Sequence, residues 1–237
     1  MFKCKFWIGF LLVVYVLTIL FQCNGYADIA DALKSIILPV IAFIYFLNVK
    51  KRTLFFSLFL ILYSLSDLMV FIEPFISYYV SYYFGNLLYI LGYLFLFLEI
   101  SKSISFLAVI KNYKIHLMVL IFLNVYIGYV LQAVVNPYVE KTNEYYIEIV
   151  YNVVMLALLS VSLLNYFYRD NVKALYLFFG SICIVFAEVI WVAYTYISER
   201  SLLSVLSTSL YLAAYYFYYK QSKLENENTH ESDMLLS

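Results

Sequence analysis

Apolar residues run along this chain in blocks of about twenty, separated by short polar or charged breaks. They follow neither the two-residue alternation of a half-buried strand nor the narrow stripe of a surface helix. About twenty apolar residues in helical conformation cross the ~30 Å hydrocarbon core of a bilayer. The pattern predicts eight such crossings, at 6–21, 33–49, 53–73, 78–100, 115–133, 145–168, 173–197 and 201–219. Pro74 sets the end of the third, because the residue before a proline is pushed out of helix. The expected fold is therefore all-α: a polytopic membrane bundle of eight transmembrane helices over residues 1–220, followed by a polar, acidic, disordered cytoplasmic tail at 221–237.

The first block follows Lys3 and Lys5, and Gly25-Tyr26-Ala27 resembles the small-residue site at which a secretory signal is cut. It is read as a retained helix, because the break after it leads directly into another crossing.

Composition agrees with the membrane reading: 65% of the 237 residues are hydrophobic and 21% aromatic, far from soluble usage. The 15 basic and 15 acidic residues cancel, so no net field favours a nucleic-acid partner. Their placement is more informative. Of the 15 basic residues only Lys34, Lys141 and Arg200 fall on one side of the predicted crossings. By the positive-inside rule both termini are cytoplasmic, in the cell membrane. The tyrosine clusters at the span ends, among them Tyr78, Tyr79, Tyr82, Tyr83, Tyr145, Tyr146, Tyr215, Tyr216, Tyr218 and Tyr219, read mostly as headgroup-level anchors.

Chemistry enters with the carboxylates. Most acids fall in breaks, in the tail or near span ends, the last group being Glu73, Glu99 and Glu148. Asp67 and Glu188 alone lie deep. A charge at membrane depth costs at least ~2.5 kcal/mol, which makes an intramembrane acid a functional candidate. Asp67 follows Arg52, and Glu188 follows Lys173, by the same fifteen residues, about 22 Å of helix. Both helices run outward, so the two acids share a level. Superposing them lays the third span on the seventh and hints at two four-helix halves in parallel orientation.

Helical spacing puts Tyr63 and Ser64 on the face of Asp67, and Ser181, Trp191 and Thr195 on that of Glu188. Tyr89 on the fourth span and Tyr211 on the eighth join them as candidate lining, with Gly85, Gly92, Asn124, Gly128, Gln132, Asn152, Ser204, Thr208 and Tyr215 also on polar faces. Small and polar residues equally serve close helix packing, so each alone is weak. Cys4, Cys23 and Cys183 are too scattered for a disulfide frame, and His116 and His230 are not placed as a metal pair. No cofactor and no metal are expected.

Tyr63-Ser64-Leu65-Ser66-Asp67, Gly85, the run from Gly180 to Glu188 and Tyr211-Leu212-Ala213-Ala214-Tyr215, spread over eight expected spans, resemble the YhhN-like lysoplasmalogenase family. The chain departs from that pattern with Ser66-Asp67 for the usual Gly-Asp, Ala187-Glu188 for Ser-Asp, Leu91 near a frequent histidine and Tyr215 for Gln or His. The resemblance implies cleavage of the vinyl ether of a lyso-ether phospholipid to a fatty aldehyde. Asp67 and Glu188 would be the acid/base pair, with the membrane lipid bound by Tyr63, Ser64, Tyr89, Trp191 and Tyr211. Two other classes stay open: a proton-coupled carrier, in which paired acids load and release protons, and a non-enzymatic scaffold or sensor whose acids meet partner helices.

Overall fold

The computed structural model describes residues 2–139 and 143–224. The side chains of Lys3, Cys4 and Lys5, together with Glu140, Lys141, His230 and the tail from 225, lie outside the described residues. Within them the chain is helical and forms no strand: α1 (Phe2–Cys23), α2 (Ala27–Asn48), α3 (Leu54–Leu68), α4 (Tyr78–Ser101), α5 (Phe106–Asn112), α6 (Lys114–Val139), α7 (Glu144–Arg169), α8 (Val172–Tyr196) and α9 (Ser201–Ser222). Seven of these are long and apolar enough to cross a membrane, and the chain is a multi-pass membrane bundle. The eighth long helix, α9, has 22 residues but a more polar composition. Its buried residues, among them Ser204, Ser207, Thr208, Tyr211 and Tyr215, supply that polarity.

Several boundaries differ from the apolar blocks. Helix α2 starts at Ala27, six residues before its block, because Asp28 sits in its first turn, where a carboxylate suits the positive end of the helix dipole. Helix α3 ends at Leu68 and gives way to 3-10 turns at Met69–Phe71 and Glu73–Phe75. Helix α6 runs on to Val139 and holds Pro137 in its last turn, where it removes the N–H that would meet the Ala133 carbonyl. The short α5 falls in what the pattern leaves as a break, and α9 passes the expected tail boundary at 220 to reach Ser222. Between α7 and α8, Asp170 adopts a left-handed conformation (φ 43°), which Asp tolerates better than most residues. Asn171 then caps α8 by accepting the Ala174 N–H at 2.8 Å.

Helices α2, α3, α4, α7, α8 and α9 pack in that order into a closed ring, with α9 returning to α2. Helix α1 lies outside it against α2 and α9, and α6 outside it against α7 and α8. The outward face of α6 is apolar, with Ile115 76% and Phe122 77% exposed, as suits a surface in hydrocarbon.

One half of the ring is solid. Tyr45, Phe56, Phe59, Leu96 and Tyr218 are almost fully buried, and the Tyr218 ring meets those of Phe59 and Phe56 edge-on at 5.6 and 6.5 Å. Tyr218 also donates to Ser181 Oγ at 3.1 Å, so this tyrosine belongs to the core and is no headgroup anchor. Gly180 lets α8 pass against it. A Cβ at Gly180 would run into the Tyr218 ring, which is held and cannot step aside. Gly180→Ala is therefore expected to cost about 1–3 kcal/mol, the usual range for overpacking. Thermal unfolding in detergent checks this, with Gly9→Ala, which would meet nothing, as the control.

Candidate functional site

The other half of the ring encloses a cavity of about 450 Å³. It extends from Tyr63, Tyr211 and Tyr215 at its inner end to Glu73 and Thr195, exposed residues at the helix ends. Asp67 is the penultimate residue of α3 and Glu188 lies two-thirds along α8, about 20 and 24 Å from the starts of their helices. Both carboxylates line this one cavity.

Tyrosine hydroxyls hold them. Glu188 Oε1 accepts from Tyr151 at 2.6 Å, Tyr93 at 2.7 Å and Tyr63 at 3.2 Å, and the hydroxyls of Tyr63 and Tyr93 are 3.0 Å apart. Asp67 Oδ1 accepts from Tyr89 at 2.7 Å. Nearer the mouth, Glu148 accepts from Tyr82 at 2.5 Å. The phenol rings also touch: Tyr63 meets Tyr89 edge-on at 4.5 Å and Tyr93 at 5.4 Å. The site is thus a stack of tyrosines whose hydroxyls point at carboxylates.

A cation completes it. Lys34, about 10 Å along α2, places its ammonium 3.6 Å from the centroid of the Trp191 ring and 5.0 Å from that of Tyr211. Its charge is felt at Asp31, Glu188 and Asp67. Among the described residues no three His, Cys, Asp or Glu side chains are placed to hold a metal ion.

No family model, curated protein or solved structure matches this chain. Of the expected site residues, Asp67, Glu188, Tyr63, Tyr89, Trp191 and Tyr211 meet in the cavity. Ser64 does not line it: its Oγ is buried without a hydrogen-bond partner. Ser66 lines it instead, and donates to the Gly85 carbonyl at 2.8 Å, which ties α3 to α4. Ser181 is bound to Tyr218, and Asn124 to Ser160 at 2.7 Å, so both serve packing.

The sequence reading missed Lys34, Tyr93 and Tyr151, and took Tyr82 for an anchor and Glu148 for a span-end acid. Starting the second span at 33 left Lys34 at a helix end. The Asp31–Lys34 spacing of one turn, together with Asp28, is the signal for an earlier start. Tyr93 lies four residues after Tyr89, on the same helix face.

The hydroxyls at Glu188 can be removed one at a time. A hydrogen bond to a charged group is worth about 1.5–3 kcal/mol, so Tyr151→Phe and Tyr93→Phe should each lower stability by about that amount. Thermal or denaturant unfolding in detergent measures this. Tyr146→Phe, at an exposed ring, should leave stability unchanged.

Proposed function

We propose that the protein is a membrane-embedded ether hydrolase that cleaves the vinyl ether of a single-chain lyso-ether phospholipid. The observation that carries this reading is the convergence of Asp67 and Glu188 on one cavity, from helices far apart in the chain. A vinyl ether becomes reactive when its β-carbon takes a proton, which creates an oxocarbenium ion. One acid and one carboxylate suffice.

The unequal hydrogen bonding of the two acids supports a division of roles. Glu188, with three hydroxyls donating to one oxygen, is the acceptor that stabilises the cation and takes a proton from attacking water. Asp67, with one donor, is the acid that gives its proton to the carbon. Collapse of the resulting hemiacetal moves the Glu188 proton to the leaving oxygen and the hemiacetal hydroxyl proton to Asp67. Aldehyde and alcohol leave, and both groups are restored.

In this reading α9 is the eighth crossing, both termini are cytoplasmic, and the membrane is that of the cell, as the basic residues suggest. A parallel repeat of α1–α4 on α6–α9 agrees with the ring, since the contact of α4 with α7 has its counterpart in that of α9 with α2. Tyr89 and Tyr93 on α4 and Tyr211 and Tyr215 on α9 share a four-residue spacing, one residue out of the register that superposes Asp67 on Glu188. A second reading, the proton-coupled carrier, is favoured by the break of α3 into 3-10 turns directly after Asp67. Against it, α8 continues unbroken past Glu188 to Tyr196, and the ring beyond the cavity is filled.

Purified protein in detergent should release fatty aldehyde from a lyso-vinyl-ether lipid. Asp67→Asn and Glu188→Gln should each lower the rate by about 10²–10⁴-fold while the protein still elutes as a single folded species. Full activity in both variants sinks the mechanism. Substrate-dependent proton uptake into proteoliposomes, with no lipid cleaved, identifies the carrier instead.

A further inference from the structure

The hydrogen bonds of the cavity are unevenly shared. Asp67, Glu148 and Glu188 each already receive a tyrosine O–H. Lys34 carries three N–H donors and lines the same cavity. Among the described residues its ammonium meets no hydrogen-bond acceptor and no ion-pair partner, only the faces of Trp191 and Tyr211. The carboxylates of Asp31, Asp67 and Glu188 act on it from beyond contact. A ring face attracts a cation but accepts no strong hydrogen bond, so the three N–H donors of this one charged donor in the cavity are left unmet.

We propose that Lys34 anchors the anionic head of a single-chain lipid, taking a phosphate or carboxylate oxygen into the cavity beside Asp67 and Glu188. The indole of Trp191 fixes the ammonium from one side and leaves its N–H groups for the ligand. Anchoring there places the apolar chain, and any bond near the head, within the tyrosine-lined space that holds the two acids. This deepens the ether-hydrolase reading, and depends on it only for which bond is broken.

Trp191 itself reports the event. The chain has two tryptophans, so Trp7→Phe leaves Trp191 as the single indole. The full chain in detergent is titrated with an acyl lysophosphatidic acid, a fatty acid and a monoacylglycerol of equal chain length. None contains a vinyl ether, so binding is read without hydrolysis. The two anionic lipids should shift Trp191 emission saturably, and the neutral one should not. The tighter of the two anions assigns the head as phosphate or carboxylate.

Lys34→Met should weaken anion binding by about thirtyfold or more, as when one partner of a buried charge pair is truncated, whereas Lys34→Arg should retain it. A monoacylglycerol that binds as tightly as the anions overturns the proposal, and this comparison needs no variant at position 34. An unchanged affinity in folded Lys34→Met, or no response to any of the three lipids, overturns it as well. Lys34-dependent anion binding in a protein that releases no aldehyde removes the hydrolase reading and leaves the anchor standing.

Discussion

A carboxylate at membrane depth is stripped of most of its water, so the protein supplies donors in its place. Here the donors are tyrosine hydroxyls, and the architecture follows from where they come from. The three that meet Glu188 of α8 arrive on α3, α4 and α7. One oxygen thus ties four of the six ring helices together. The bonds from α4 to Asp67 on α3 and to Glu148 on α7 brace the same ring at other levels. Tyrosine suits this position because its ring packs as an apolar body while its tip donates. The aromatic content that marks the chain as a membrane protein is therefore also the means of keeping charge in its interior.

The same rings serve the cation. Lys34 over Trp191 is held by attraction to an aromatic face, worth about 2 kcal/mol or more when water is excluded. That contact sets the position of the ammonium without consuming its N–H groups. Carboxylates bound by hydroxyls and an ammonium bound by an indole leave both signs of charge in one cavity without collapsing into a closed ion pair. Such an arrangement keeps charge available to an occupant.

The long helices were legible because their apolar blocks match the length a bilayer demands. Asp67 and Glu188 were legible because they are the deep acids in those blocks. What escaped did so for geometric reasons. At 100° per residue the cavity face of α3 runs from Asp67 through Tyr63 to Ser66, so Asp67 stands at its edge. A face drawn symmetrically about Asp67 takes in Ser64 and loses Ser66. Lys34 was hidden because hydropathy stops counting where polar residues begin, although a helix continues as long as its caps and pairs allow. Tyr82, Tyr215 and Tyr218 were read as anchors from their nearness to span ends, and nothing in a single sequence tells a tyrosine facing a cavity from one facing headgroups. Helix α9 shows the converse, since Ser204, Ser207, Thr208, Tyr211, Tyr215 and Tyr218, which lower its hydropathy, are turned inward.

The packed half of the ring, with Tyr45, Phe56, Phe59, Leu96 and Tyr218 at its centre, makes the cavity a blind alley. A blind alley imposes an order of traffic. Whatever goes in must come out the way it came, and a second molecule has to wait until the first has cleared. For an occupant that enters past Glu73 and Thr195, exchange across that threshold sets how soon the next can follow.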